Sequence, residues 1–417
     1  MPSPFRPETW PFELSQLPAS AHLVGGSVRD QLINRQSSYL DLDFVLPERA
    51  VQSASELAKA YKAGFVVLDA EREIARVVFD QVTVDFAQQQ GGSLEADLRR
   101  RDFTINAIAY HPLSQTFVDP LGGKADIAAK ILRMVSRANL AADPLRILRG
   151  HRQAAQLNFT IEPQTQNTIH QLAPQLKQVS IERVRSELDA LLSEPAGTEQ
   201  LAAILEHGLL SFCLPNFTAE RLAQIEAIDR ATAQLQRAMP SYAQRLHQWN
   251  KPIPPGCYRS WIKASKLSCL VSEQEKTAQK ELMNLSYSRA EMQVILCLIR
   301  AQPAIDTLKV RSLTRSEQFF LFKLAAGQFP AVSLLALSQG IALETLQPII
   351  AKFLDPANPI AHAPTLITGN DIMQQLSIKP GPKLGKLLKA VEQAQANGEL
   401  NTTEDAIAWL KNADRKA

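Results

Sequence analysis

Cysteine is scarce in this chain of 417 residues. The four are Cys213, Cys257, Cys269 and Cys297, and no two stand as Cys-x-x-Cys. Such spacing excludes a structural zinc knuckle and a disulfide framework, and it leaves buried free thiols in a reducing cytosol as the expectation. No secretory leader is visible: the chain begins with Pro2, Pro4 and Pro7 rather than a basic and then apolar segment. No apolar run approaches the roughly 20 residues that span a bilayer. These absences point to a cytoplasmic protein with no membrane partner. Internal repeats and low-complexity tracts are also missing. A net charge of +3 neither demands nor excludes a nucleic-acid partner, so local clusters carry that question. Hydrophobic content of 45% and charged content of 21% are ordinary for a globular protein, and the length suggests two to four domains.

Two stretches near the N-terminus stand out. Gly25-Gly26-Ser27-Val28-Arg29-Asp30 sets two glycines before an apolar helix pattern, a turn that can wrap backbone N–H groups around a phosphate. Asp41-Leu42-Asp43-Phe44 follows. On an extended strand its two aspartates are two residues apart and face the same way. Paired carboxylates repel unless a cation lies between them, and hard oxygen ligands beside a phosphate suit Mg²⁺. A lone Asp-x-Asp is ordinarily a solvated strand edge, and a lone Gly-Gly a plain turn. In this order, flanked by strand-like runs, they read as a metal-dependent nucleotide site.

Residues 1–20 read as an irregular arm with a short helix near Glu13 to Leu17. Strands are expected at Leu23-Val24, Phe44 to Leu46, Phe65 to Leu68, Ala75 to Phe79 and Val82 to Phe86, with helices at about Val28 to Ile33 and Val51 to Tyr61. Beyond about residue 121 helical periodicity dominates. Candidates are Leu145 to Leu157, Ile181 to Leu192, Glu199 to Leu210, Ala219 to Ala238, a resumption from Trp261, Leu384 to Asn397 and Thr403 to Asn412. Lys251-Pro252-Ile253-Pro254-Pro255-Gly256 is a clear break. The fold class is α+β, with a small mixed head ahead of a long helical body.

Two further stretches carry polar chemistry. In Arg99-Arg100-Arg101-Asp102-Phe103-Thr104-Ile105-Asn106-Ala107, Asp102 and Asn106 are spaced to share a helix face, and a guanidinium beside them could grip a ribose and a phosphate. In Asp143-Pro144-Leu145-Arg146-Ile147-Leu148-Arg149-Gly150-His151-Arg152, Asp143 is a good N-cap with proline at the first helical position, and three arginines follow at spacing three. Surface arginines are commonly just solvated; these come soon after the turn Asp119-Pro120-Leu121-Gly122-Gly123.

Taken in order with Glu182-Arg183-Val184-Arg185-Ser186-Glu187-Leu188, these motifs resemble the class II tRNA nucleotidyltransferase and bacterial poly(A) polymerase family, densely over residues 21–190. Leu366 to Asp371 and Pro380 to Gly385 are similar to a tail found in that family. The resemblance implies a DNA polymerase β-like mixed-sheet head over 1–120, then an all-α neck (121–195), body (196–330) and tail (331–417). It implies that Asp41 and Asp43 bind two Mg²⁺ and that Gly26, Arg29, Arg101 and Asp102 meet the triphosphate and ribose. Asp143 and Arg146 would read the incoming base in place of a nucleic-acid template, supported by Arg149 and Arg152. A carboxylate and a guanidinium match the amino donor and ring acceptors of cytosine, and the N6 and N1 of adenine, but not guanine or uracil. Asp85 is a candidate third carboxylate; a structural aspartate at a strand end is the alternative.

Two departures from the family pattern matter. Ala142 stands where a glutamate usually precedes the base-reading aspartate. The connection from Val84-Asp85-Phe86 to Arg100 is short, through Ala87-Gln88-Gln89-Gln90-Gly91-Gly92-Ser93. Relatives that add the terminal adenosine carry a longer loop here, so the short one resembles members that add only the two cytidines. CTP, with or without ATP, and tRNA are the expected partners, and CC addition would require a separate A-adding enzyme. The tRNA would be held by the shape of its acceptor and T arms, with Lys309, Arg311 and Arg315 as one candidate patch and Lys383, Lys386 and Lys389 as another. The seven histidines form no His-Asp metal cluster, so the phosphohydrolase domain appended to some relatives is not expected. Competing readings are a full CCA-adding or A-adding enzyme, a poly(A) polymerase of the same family, and an inactive RNA-binding relative.

Overall fold

The computed structural model describes residues 3–35, 39–247, 249 and 259–414. These residues form two compact units, Met1–Leu210 and Ser211–Ala417. The proline-rich break at 251–256 and Cys257 lie outside the described residues.

The first unit is built on a seven-stranded sheet in the order β3-β4-β5-β2-β1-β6-β7. The strands are β1 (His22–Val24), β2 (Leu40–Leu46), β3 (Gly64–Asp69), β4 (Ile74–Val78), β5 (Val82–Gln88), β6 (Ala109–His111) and β7 (Thr116–Val118). The central pair, β2 and β5, is parallel, and the other pairs are antiparallel. Strand alternation divides β2 cleanly. Leu42, Phe44 and Leu46 enter the larger core with Leu23, Val84 and Phe86, whereas Val45 packs on the opposite face with Val24, Leu98 and Ala109. Asp41 and Asp43 share Val45's face.

Helix α1 (Gly26–Leu32) follows β1, and α2 (Ala50–Tyr61) covers β4 and β5. The N-terminal arm is no loose appendage. It makes two short 3₁₀ turns, and Trp10, Phe12 and Leu17 are buried in the larger core. Trp10 stands edge-on to Phe44 (5.6 Å between centroids) and Phe12 stacks on Phe79 (6.0 Å).

Short α3 (Leu94–Arg99) is followed by α4 (Gly123–Ala129), α5 (Arg137–Ala142), α6 (Leu145–Leu157), α7 (Pro163–Leu172), α8 (Ile181–Ser193) and α9 (Gly197–Glu206). A small parallel pair, β8 (Ile131–Leu132) and β9 (Thr160–Ile161), flanks α6. Helix α6 packs on α8 and α9. It approaches the head closely at Gly150, where a Cβ would lie 3.0 Å from the Phe103 ring.

The described part of the second unit is helical, from Ala219–Ala238 to Thr403–Asp414, with a distinct apolar cluster formed by Leu366, Ile372, Val391, Leu400 and Leu410. Against the expectation from sequence, one stretch, Arg315–Ser338, is long and apolar enough to cross a membrane. Two-thirds of its most apolar window is buried within the unit, and the helix breaks at Ala326, whose φ is +44°. It is therefore packed as a core element. Cys269 and Cys297 are buried, as expected, but Cys213 is only partly so.

Candidate active site

One strand, β2, and three helical segments converge on a cavity of ≈ 510 Å³ in the first unit. Gly25, Gly26 and Ser27 line one wall, Asp41 and Asp43 another, and Arg101, Asp102, Asn106, Arg149 and Arg152 the rest. Gly25 has φ +78°, and a Cβ there would meet Arg101 Nη1 and Asp43 Oδ2, each at 3.4 Å. The glycine thus lets the turn pass beside both a cation and a carboxylate.

The parallel register sets Asp41 opposite Thr83 and Asp43 opposite Asp85. The Thr83 hydroxyl donates to Asp41 Oδ1. Burial, then the charges of Asp41 and Asp85, push the Asp43 carboxyl up to about 7. A divalent cation would relieve that strain, so the donor set fits one. Among the described residues no three His, Cys, Asp or Glu side chains gather as a metal-ligating group. An ion at Asp41 and Asp43 would fill its shell with oxygens from elsewhere, such as phosphates. Asp85 lies mid-strand, not at a strand end, and gives both oxygens to Arg76, at 2.7 and 2.8 Å. It contributes charge beside Asp43 while its hydrogen-bonding capacity is spent on that pair.

The floor is a buried polar network. Asn106 Nδ2 donates to Asp102 Oδ1 and to Gln153 Oε1, both at 2.9 Å, and Asn106 Oδ1 accepts from Arg29 Nη1 at 2.7 Å. Asp102 and Asn106 do meet, but through a bend and a 3₁₀ turn at Thr104–Asn106 rather than on one α-helical face. Asp102 Oδ2 accepts from Arg149 Nε and Nη2 (3.1 and 3.0 Å). Burial opposes ionisation of Asp102, yet Arg149, Asn106 and the Phe103 N–H hold its carboxyl below the usual range. Arg29 lines the cavity, but its guanidinium is buried and donates to Asp30, Asn106 and Gln153. It braces the floor more than it reaches outward. Arg152 is bound to Glu187 at 2.5 Å.

The turn at 104–106 is locked from behind. Asp119 caps the Gly123 and Lys124 N–H groups (2.7 and 2.9 Å), and Thr104 donates to Asp126 at 2.6 Å. A Cβ at Gly123 would lie 2.3 Å from the Thr104 carbonyl oxygen. The Asp-Pro-x-Gly-Gly motif is thus a clamp for Asn106.

Asp143 and Arg146 do not line this cavity. Asp143, extended, accepts from the Leu145 N–H (3.3 Å) and pairs with Arg183 at 2.9 Å. Arg146 Nη1 donates to the carbonyls of Arg100 (2.8 Å) and Asn139 (3.2 Å). Arg146 is linked to the cavity wall through Asp102, whose charge acts on it. Gln153, Arg183 and Asp97 were not singled out from sequence as site residues. Asp97 had one usable signal, arginines three and four positions after it.

In the second unit, Lys309, Arg311 and Arg315 are exposed, but Lys309 is paired with Asp306 (2.9 Å) and Arg311 with Glu317 (2.6 Å). Lys383, Lys386 and Lys389 are exposed along the helix Pro382–Asn397.

A carboxylate pair on a mixed-sheet head, facing an arginine-rich cavity beneath a glycine turn, defines a nucleotidyltransferase, and the family model for the poly(A) polymerase head domain matches residues 21–133. The models described as "Probable RNA and SrmB-binding site of polymerase A" and "tRNA nucleotidyltransferase domain 2 putative" match 158–221 and 261–410. The chain is 39% identical over 407 residues to a CC-adding tRNA nucleotidyltransferase of Synechocystis sp., covering 96% of this chain and 95% of that one. It is 33% identical to an A-adding tRNA nucleotidyltransferase of Deinococcus radiodurans, covering 95% and 96%. The chain belongs to the tRNA nucleotidyltransferase family. Its fold matches that of a Thermotoga maritima CCA-adding enzyme solved with tRNA, with a TM-score of 0.66 at 20% identity over 94% of this chain and 91% of that one. Enzymes of this family use divalent metal ions.

Proposed function

We propose that this enzyme transfers cytidylate from CTP to the 3′ end of tRNA, adding the two cytidines of the CCA terminus and stopping there. The observation that carries the reading is the connection between β5, which ends at Gln88, and α3, which begins at Leu94. It is short and tied down. The Gln89 N–H donates to Leu46 O (2.7 Å), the Gln90 N–H to Asp97 (3.1 Å), and Ser93 caps α3 by accepting from the Ala96 N–H (3.1 Å). Such a segment cannot swing to reshape a pocket for a second nucleotide. The Synechocystis relative, named as CC-adding, supports the same choice.

In this reading Asp41 and Asp43 hold two Mg²⁺ ions. Bound there, the ions supply charge neutralisation at the triphosphate and acidify the tRNA 3′-hydroxyl. Arg101, Arg149 and Arg152 orient the triphosphate and favour charge developing on the leaving pyrophosphate. Asp102, kept ionised by Arg149, accepts from the ribose. Asp143, once drawn from Arg183, and Arg146, braced on the Arg100 carbonyl, read the base edge. Four parts (1–120, 121–195, 196–330 and 331–417) serve as head, neck, body and tail, the last two holding tRNA. The enzyme works in the cytoplasm, and a separate enzyme completes the terminus.

The test is to supply CTP or ATP singly to tRNA lacking its 3′ end and to tRNA ending in CC. Two cytidines on the first substrate and nothing on the second are expected. Efficient addition of A to the second would sink the CC-only reading, and a long A ladder would make the enzyme a poly(A) polymerase.

A further inference from the structure

Asp97 sits near the end of α3 with its carboxylate fully buried. Oδ1 accepts from the Gln90 N–H (3.1 Å) and from Arg100 Nε and Nη2 (2.9 and 2.6 Å). Oδ2 accepts from Arg101 Nε and Nη2 (3.3 and 3.0 Å). Each donor leads somewhere different. Gln90 belongs to the short connection after β5. Arg101 reaches over Gly25 to the side of Asp43. The Arg100 carbonyl receives Arg146. One buried carboxylate therefore joins the connection, the triphosphate wall and the base-reading arginine.

We propose that Asp97 is the positioning residue through which the 89–93 connection sets the nucleotide pocket, holding Arg101 toward the triphosphate and the Arg100 carbonyl beneath Arg146. The proposal rests on the CC-adding reading in one respect: a single fixed pocket serves a single base. A guanidinium gripped by a carboxylate has little rotational freedom, and that order is what an incoming triphosphate would otherwise have to impose. Asp97 fixes where these two guanidinium groups stand. The connection also touches α3 directly: Gly91 has φ +80°, and a Cβ there would come within 2.9 Å of the Ala96 Cβ. A side chain at 91 would lift the connection from α3 and part Gln90 from Asp97 without touching the cavity.

The experiment compares Asp97→Asn, Gly91→Ala and, as a control, Glu95→Gln, the Glu95 carboxylate being paired with exposed Arg99. CTP and ATP kinetics are measured on tRNA lacking its 3′ end, with thermal unfolding alongside. Asp97→Asn is expected to raise KM for CTP about tenfold, with kcat less affected, and to cut the CTP-to-ATP ratio of kcat/KM about tenfold. Gly91→Ala should move both in the same direction by about threefold, and Glu95→Gln should move neither. If Asp97→Asn melts earlier with KM and the ratio unchanged, the role is structural and the proposal fails. If Asp97→Asn does not fold, Gly91→Ala decides, and unchanged values there overturn it. Should the parent enzyme add A to tRNA ending in CC, the CC reading falls, while the shift in KM still judges Asp97.

Discussion

Asp43, half-buried at the cavity wall, and His151, fully buried, are titratable groups whose surroundings give them opposite uses. Asp43 faces Asp41 and Asp85 across the sheet, where ionisation is costly without a cation. Asp43→Asn keeps the shape and removes the charge. It is expected to lower kcat at least ~10³-fold while circular dichroism stays unchanged, and an unchanged rate would return the protein to the inactive RNA-binding reading. His151 lies on the buried face of α6, with Nδ1 on Gln200 and Nε2 buried without a partner among the described residues. Burial pushes it down to about 4 from an ordinary 6.5. Above pH 6.5 it is neutral in both folded and unfolded chains and has no effect on stability. Between 6.5 and about 4 only the unfolded chain takes up the proton, so stability falls, by ~3 kcal/mol across the window. Thermal unfolding from pH 7.5 to 4 should show this loss, and His151→Gln should lessen it.

At the scale of elements, the clamp behind the 104–106 turn is sensitive to a small change. Gly123→Ala forces a methyl against the Thr104 carbonyl. It should cost ~1–3 kcal/mol in denaturant titration and weaken CTP use through Asn106; a variant with parental stability would show that the clamp is soft. How much of this was legible in the sequence differs by element. Leu145–Leu157 and Ala219–Ala238 were readable to the residue because their apolar period is helical and both ends carry turn or cap signals. The acidic pair was readable because a period of two fixes a shared face whatever the strand's neighbours. Strands β6 and β7 were missed, since three-residue strands have too few positions to show a period. The contact of Asp102 with Asn106 was foreseen from helical spacing, yet a turn makes it. Pairs such as Asp143 with Arg183, 40 positions apart, leave no local trace. The same holds for the binding of the 89–93 connection to Asp97, where a hydrogen bond from the backbone is involved.

Across the whole molecule, the carboxylate pair and the arginine-lined cavity lie in residues 1–210, and the second unit carries exposed lysines along the helix Pro382–Asn397. The two patches foreseen from sequence are not equal. Lys309 and Arg311 already hold carboxylates, so replacing both by alanine should change the tRNA KM little. Replacing Lys386 and Lys389 should raise it several-fold and reduce the slope of log affinity against log salt by about two. Equal effects from both pairs would refute the distinction. The buried N-terminal arm bears on how the chain is made. Trp10 and Phe12 leave the ribosome before their partners Phe44 and Phe79, and the central strand β5 follows later still. The arm must wait undocked until the head's last central strand has been synthesised. During that wait two aromatic side chains are open to chaperones, and a bulky fusion ahead of Ser3 would burden head closure before it burdened catalysis.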